Sequence, residues 1–213
     1  LNANRVRECL TTVEAENGHL MLGFQRRFDP DFMALKAAID AGQIGEVEMI
    51  VITSRDPGAP PYDYIERSGG IFRDMTVHDL DVARWLLGEE VISVQASASV
   101  LTDPKIGEHG DYDSANLILK TASGKLCAIT NSRRAAYGYD QRIEVHGSKG
   151  SVSAGNQHEA NIEIATARGY QRPPLLDFFM TRYTRAYANE IEAFVNAVEN
   201  NTEMPITGTD GLR

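Results

Sequence analysis

The sequence predicts an α+β protein: an open, mainly antiparallel sheet covered by helices on one face, preceded by the last helix and strand of a parallel α/β domain. Two observations carry that prediction. Between residues 91 and 166, short runs alternate apolar and polar side chains and are separated by turn residues, the pattern of half-buried strands joined by hairpins. Ahead of them the chain opens on a helical pattern followed by a short apolar run, which reads as the second half of a βαβ unit.

Taken in order, residues 4–16 place Val6, Leu10 and Val13 on one side of a helix, with Asn4 as its cap and Asn17-Gly18 as its stop. Residues 19–24, HLMLGF, have the length and composition of a buried strand. Arg26-Arg27-Phe28-Asp29-Pro30 breaks it, and residues 31–41 form a second amphipathic helix that Gly42 ends. Residues 47–54, VEMIVITS, read as the first strand of the sheet. The runs at 91–101, 114–121, 125–131, 142–146, 151–154 and 161–166 supply the rest, and short turns such as Thr121-Ala122-Ser123-Gly124 make neighbours antiparallel. Alternation leaves one sheet face for helices and the other for solvent or a partner. A long helix over 175–200 follows, with Tyr187, Ile191, Phe194 and Val198 on one side. The expected domains are residues 1–24, a remnant, and residues 25–213. The chain opens on Leu and closes on PITGTDGLR, a turn followed by the opening of a helix, so both ends are expected to be cut from something longer.

With 213 residues, 42% hydrophobic and 24% charged, the chain has enough apolar side chains to bury a sizeable core and an ordinary soluble composition. Its net charge of −9 lacks the basic footprint that nucleic-acid binding needs. Cys9 and Cys127 lie far apart and outside any CxxC, so no disulfide framework is expected, and a reducing cytoplasm is the simplest compartment. No apolar run approaches the length of a membrane span.

The chemistry is concentrated in SGGIFRDMTVHDLD, residues 68–81. On a helix turning about 100° per residue, Phe72, Met75, Leu80, Val82, Ala83, Leu86 and Leu87 share an apolar arc, and Asp74, His78, Asp81 and Trp85 fall opposite. Asp74 and His78 are spaced i,i+4, so their side chains can meet. A carboxylate beside an imidazole can fix its tautomer and raise its basicity, and histidine suits proton transfer near neutral pH. The same spacing occurs on plain solvated helix faces, so an acid–base pair and an exposed face both stand on spacing alone; Trp85 on the same stripe argues for a covered face. Ser68-Gly69-Gly70 lets the backbone enter the helix tightly. No metal is expected, because Asp74, His78 and Asp81 find no fourth ligand at a recognisable spacing. His19, His109, His146 and His158 have no partner at catalytic spacing and read as structural or surface residues.

GGIFRDMTVHDLDVARWLLGE resembles the signature helix of the Gfo/Idh/MocA oxidoreductases. MLGFQRRFDPDF, AAIDAGQIGEVEMIVITSRDP and AYGYDQRIEVHGSKG resemble its inositol 2-dehydrogenase branch, and the resemblance runs in order through essentially the whole chain. It implies a Rossmann-type domain, of which residues 1–24 would be the remnant, binding NAD, with NADP as the alternative. It implies a C-terminal domain that carries the substrate site and the subunit contacts. In that pattern His78 takes the hydroxyl proton as hydride leaves for the nicotinamide, and Asp74 orients and polarises it beside a lysine from a Glu-Lys-Pro motif. Neither Glu-Lys-Pro nor GxGxxG occurs in this sequence, so the chain alone is expected to be inactive. The resemblance places Gln25 and Arg26 at the nicotinamide and substrate cleft, and Ser54, Asp56, Tyr137 and Tyr139 around the substrate. Some inositol dehydrogenases have His and Asn where Ser54 and Asp56 stand, a departure that bears on polyol binding. Read without the resemblance, Arg26 and Arg27 are equally a surface pair capping the next helix, and the tyrosines are packing residues. The implied substrate is a cyclic polyol, myo-inositol first and scyllo-inositol or another sugar second. A non-catalytic oligomerisation module is the reading from another class. The implied assembly is a homo-oligomer, a dimer or tetramer, through the open sheet face.

Overall fold

The structure, a computed structural model, describes residues 2–213. In chain order its elements are α1 (Ala3–Ala15), a 3₁₀ turn (Gln25–Phe28), α2 (Pro30–Asp40), β1 (Val47–Arg55), α3 (Tyr62–Ser68) and a π-helical turn (Phe72–Thr76) that runs into α4 (Val77–Leu87). Then come β2 (Val91–Ser99), α5 (Pro104–Glu108), β3 (Ser114–Thr121), β4 (Leu126–Ser132), β5 (Asp140–Gly147) and β6 (Gly150–Ala154). A small hairpin, β7 (Ile164–Thr166) and β8 (Gly169–Gln171), precedes α6 (Phe179–Arg182), α7 (Thr184–Glu199) and α8 (Gly208–Leu212). The chain divides into two compact units: the residues through Pro30 together with Tyr183–Arg213, and Asp31–Arg182. The C-terminal segment thus groups with the N-terminal one, where the sequence suggested a single boundary near residue 24.

The larger unit is built on a six-stranded sheet of order β2-β3-β4-β1-β5-β6. Every neighbouring pair is antiparallel except β1 and β4. Alternation sorts the side chains as the sequence indicated. On one face Ile50, Ile52, Leu117, Leu119, Cys127, Ile129, Ile143 and Val145 are buried. Helix α4 packs against β1 on this side, with Val82, Ala83, Leu86 and Leu87 all at most 1% exposed. Burying each of Val82, Leu86 and Leu87 contributes about 1.5–3 kcal/mol, which fixes the helix on the sheet. On the other face Met49, Val51, Ile118 and Leu126 remain exposed.

In the smaller unit, α1 is capped by Asn2, whose side chain accepts from the Arg5 amide at 3.0 Å, two residues earlier than the expected cap. Asn17, at φ 49°, ends it. The strand expected at 19–24 does not form: these residues join no ladder, although Leu22 N–H donates to Ile206 O. An apolar run becomes a strand only beside another strand, and none lies next to it among the described residues of this unit. The long helix expected from residue 175 starts only at Thr184, because Leu175 bridges His158 and the Leu176 amide donates to Gln157 O. Its buried face is Ala186, Glu190 and Ala197, whereas Ile191 of the expected stripe is 63% exposed. Helix α8 opens with a reciprocal Thr207–Asp210 capping box. Among the described residues no helix is long and apolar enough to cross a membrane.

Candidate active site

The segment carrying Asp74 and His78 is entered through Gly69 and Gly70, both left-handed at φ 89° and 83°. A Cβ at Gly70 would stand 2.7 Å from Asp111 Oδ1. Only glycine therefore lets Asp111 approach and accept the Ile71 amide at 2.8 Å. The chain then makes one π turn before settling into α4. Such a turn holds one residue more than an α turn and is frequent at functional sites. It shifts the phase of the helical wheel: Phe72 and Leu80, expected in the core, are only half-buried, and Asp81, expected outside, is 4% exposed.

Asp74 and His78 are both half-buried, on either side of the π-to-α junction. The carboxylate of Asp74 is held by residues the sequence reading did not single out. Tyr64 Oη donates to Oδ1 at 2.7 Å, and Arg133 Nη1 donates to Oδ2 at 3.2 Å. The carboxylate thus has a phenol on one oxygen and a guanidinium on the other. The hydrogen bond to Asp74 raises the Tyr64 phenol above its ordinary pKa. Beneath the helix runs a buried polar row. Thr76 Oγ1 donates to Asn131 Oδ1 at 2.7 Å, and Asn131 Nδ2 donates to Asp79 Oδ2 at 2.7 Å. Asn131 and Gln141 flank Ser54 across β4, β1 and β5.

The other expected site residues divide. Ser54 is fully buried and its hydroxyl donates to Gln141 Oε1 at 2.9 Å, so it supports the helix from below and presents no surface to a ligand. Tyr139 is likewise buried at 6% exposure, with its amide on Leu176 O. Asp56 is half-buried, and its backbone ties Ser132 and Ala135. Tyr137 is half-exposed; its hydroxyl donates to Asp140 Oδ2 at 2.6 Å and accepts from Arg55 Nη1 at 3.1 Å. Burial pushes the Asp140 carboxyl up, but the hydrogen bonds from Arg142, Tyr137 and Asn156 outweigh it and hold the group below the usual carboxylate range. Gln25 and Arg26 belong to the smaller unit and are both buried there, at 7% and 5% exposure, which removes the reading of Arg26 as a surface cap. Arg133, Tyr64 and Asn131 escaped the sequence reading. The only local signal was the doublet Arg133-Arg134 closing an apolar strand, where a solvated pair is the ordinary interpretation.

A mixed six-stranded sheet of this order, backed by a helix with an Asp and a His at its entry, defines an α+β domain. The chain belongs to the GFO/IDH/MocA family: that family's C-terminal domain matches residues 32–153. Over 212 residues the chain is 66% identical to an inositol 2-dehydrogenase of Rhizobium meliloti, covering 100% of this chain and 64% of that one. Among solved structures, a myo-inositol dehydrogenase from Corynebacterium glutamicum superposes with a TM-score of 0.93 at 39% identity, over 99% of this chain and 63% of that one. A scyllo-inositol dehydrogenase from Lactobacillus casei, solved with NAD(H) and scyllo-inositol, superposes with a TM-score of 0.89 at 29% identity, over 100% of this chain and 64% of that one. The chain therefore spans just under two thirds of the length of these relatives.

Proposed function

We propose that this chain carries the polyol side of an inositol 2-dehydrogenase, with myo-inositol as the substrate. The carrying observation is that Asp74 and His78 stand half-buried at the head of α4, with the Asp74 carboxylate held by Tyr64 and Arg133, in a chain 66% identical to an inositol 2-dehydrogenase. His78 accepts the proton of the reacting hydroxyl as its carbon becomes a carbonyl. Asp74 orients a hydroxyl of the ring, and Asp56 and Tyr137 are further candidates for polyol contact. The hydride acceptor would be supplied by bound NAD. The sequence holds no Gly-rich phosphate cradle, so we assign dinucleotide binding to a portion like the remaining third of the relatives, with Gln25 and Arg26 as this chain's residues nearest that task in sequence. Scyllo-inositol is the second substrate reading, favoured by the likeness to the Lactobacillus casei enzyme solved with it. We place the protein in the cytoplasm on its cysteine usage: Cys9 and Cys127 are free thiols.

The test is kinetic. In the full-length protein, Asp74→Asn and His78→Ala should each lower kcat for NADH formation from myo-inositol by about 10²–10⁴-fold. Wild-type turnover in both variants would sink the assignment. The isolated 213-residue chain should form no NADH steadily; if it does, the division of labour proposed above is wrong.

A further inference from the structure

We propose that Arg133 is a positioning residue for Asp74, a role that rests on reading Asp74 as a group that touches the polyol. Arg133 is among the largest fully buried side chains of the molecule, 1% exposed. A guanidinium so far from water costs several kcal/mol unless it is paired and hydrogen-bonded. Its two partners do different things. Asp111, 7% exposed, takes Arg133 Nη2 on Oδ2 at 3.4 Å and uses Oδ1 to accept the Ile71 amide at the entry of the π turn. Asp74, whose side chain is 20% exposed, takes Nη1 on Oδ2 at 3.2 Å.

Arg133 is thus a planar fork reaching two carboxylates, one that fixes the backbone where the π turn begins and one, Asp74, that keeps part of its side chain exposed. Its own backbone is anchored as well, the amide donating to Asp113 O at 2.8 Å. Asp113 in turn accepts the amides of Leu101, Thr102 and Asp103. With Tyr64 on the opposite oxygen, the plane of the Asp74 carboxylate is set from both sides. A bulky side chain in one staggered well would not achieve this, because carboxylate torsions are broad and roughly two-fold. Arginine is required for its geometry, since a lysine ammonium is a point donor that cannot hold two carboxylates in one plane. Both ion pairs are longer than the 2.7–2.9 Å of tight charge-assisted bonds, which fits orientation of Asp74 and not its capture.

The experiment separates positioning from simple charge balance. Arg133→Met in the full-length protein strands two acids, so the decisive variant is the pair Arg133→Met with Asp111→Asn, which removes one buried cation and one buried anion together. The pair should melt close to the wild type, yet kcat with myo-inositol and NAD should fall on the order of a hundredfold, the scale of a small misplacement of a reacting group. Adding Asp74→Asn to that pair should cost less than it costs the wild type, because its orientation is already lost. Arg133→Lys keeps the buried charge and should lose about tenfold in kcat without a change in melting temperature. Wild-type kcat in the double variant, or in Arg133→Lys if the double variant does not fold, overturns the proposal. Failure of the underlying reading is recognised separately: Asp74→Asn alone would then keep wild-type turnover.

Discussion

Glu190 has a carboxyl oxygen, Oε1, that is buried and has no hydrogen-bond partner among the described residues. Burial alone raises its pKa. Asp113 is the opposite case. Burial pushes its carboxyl up, but the amides of Leu101, Thr102 and Asp103 and the hydroxyl of Ser114 outweigh that and bring it below the usual range. The two groups give opposite pH signatures by linkage. The raised Glu190 favours the folded state when protonated, so its cost is present at neutral pH and disappears as pH falls below its unfolded value of about 4.3. The depressed Asp113 stabilises the fold above its unfolded value of about 3.9, and that stability is lost as pH falls through the folded value. Glu190→Gln should therefore raise the unfolding free energy from urea titration, and with it the urea midpoint, by about 1 kcal/mol in free energy at pH 7, with the gain vanishing near pH 4. Asp113→Asn should lower it at pH 7 and converge on the wild type in acid. Equal effects of either substitution at pH 7 and pH 3 would contradict the assignment. The thiols follow the same logic: burial, with Asp79 adding to it, pushes Cys127 up to about 12, whereas Cys9 is exposed. A disulfide reagent should titrate one thiol in the native protein and two in denaturant.

Among the elements, the glycine-led π turn decides the geometry of the site. Gly70→Ala would force a Cβ into Asp111 Oδ1 at 2.7 Å and hold a non-glycine residue at φ 83°. It should destabilise by about 1–3 kcal/mol, read from urea unfolding, and lower turnover by releasing Ile71 from Asp111. Gly150→Ala, with nothing within 4 Å of its new methyl, is the control and should leave both unchanged. The turn also marks how far the sequence was readable. The i,i+4 spacing brought Asp74 and His78 to attention because helical neighbours are local. Arg133 was invisible because it meets Asp74 across 59 residues of chain. The wheel failed at Asp81 because a π turn has no composition of its own and moves every later residue by one position. The strands β3, β4 and β5 were legible because their alternation is a direct image of burial: along β3 Ala115, Leu117, Leu119 and Thr121 are buried and Asn116, Ile118 and Lys120 between them are exposed. Residues 19–24 were not, since a strand is a property of two segments and only one was visible. The stripe of α7 was misplaced because an acid, Glu190, occupies the buried face where the pattern sought an aliphatic residue.

At the scale of the molecule, one surface is left without a role by the site. The ladder sets Met49 beside Leu126 and Val51 beside Ala128, and Ala128 in turn beside Ile118. All five point away from the helices, and Met49, Val51 and Ile118 are each more than 40% exposed. Charged and polar groups rim this cluster: Lys120 pairs with Leu126, Glu144 with Val51 and His146 with Met49. An apolar centre inside a polar rim is the anatomy of a protein interface, and a broad sheet face matches a second copy of itself about a two-fold axis. We therefore expect self-association through this face. The chain has a mass of 23.5 kDa; by sedimentation its apparent mass should rise with concentration to at least twice that value. Val51→Asp combined with Ile118→Glu should return it to the monomer mass, with the circular dichroism spectrum unchanged because neither side chain contributes to the buried face. A wild-type chain that stays monomeric at every concentration would refute the interface. Retained assembly in the double variant would move it elsewhere, because two like charges desolvated at the centre of such a contact cost more than the rim pairs return.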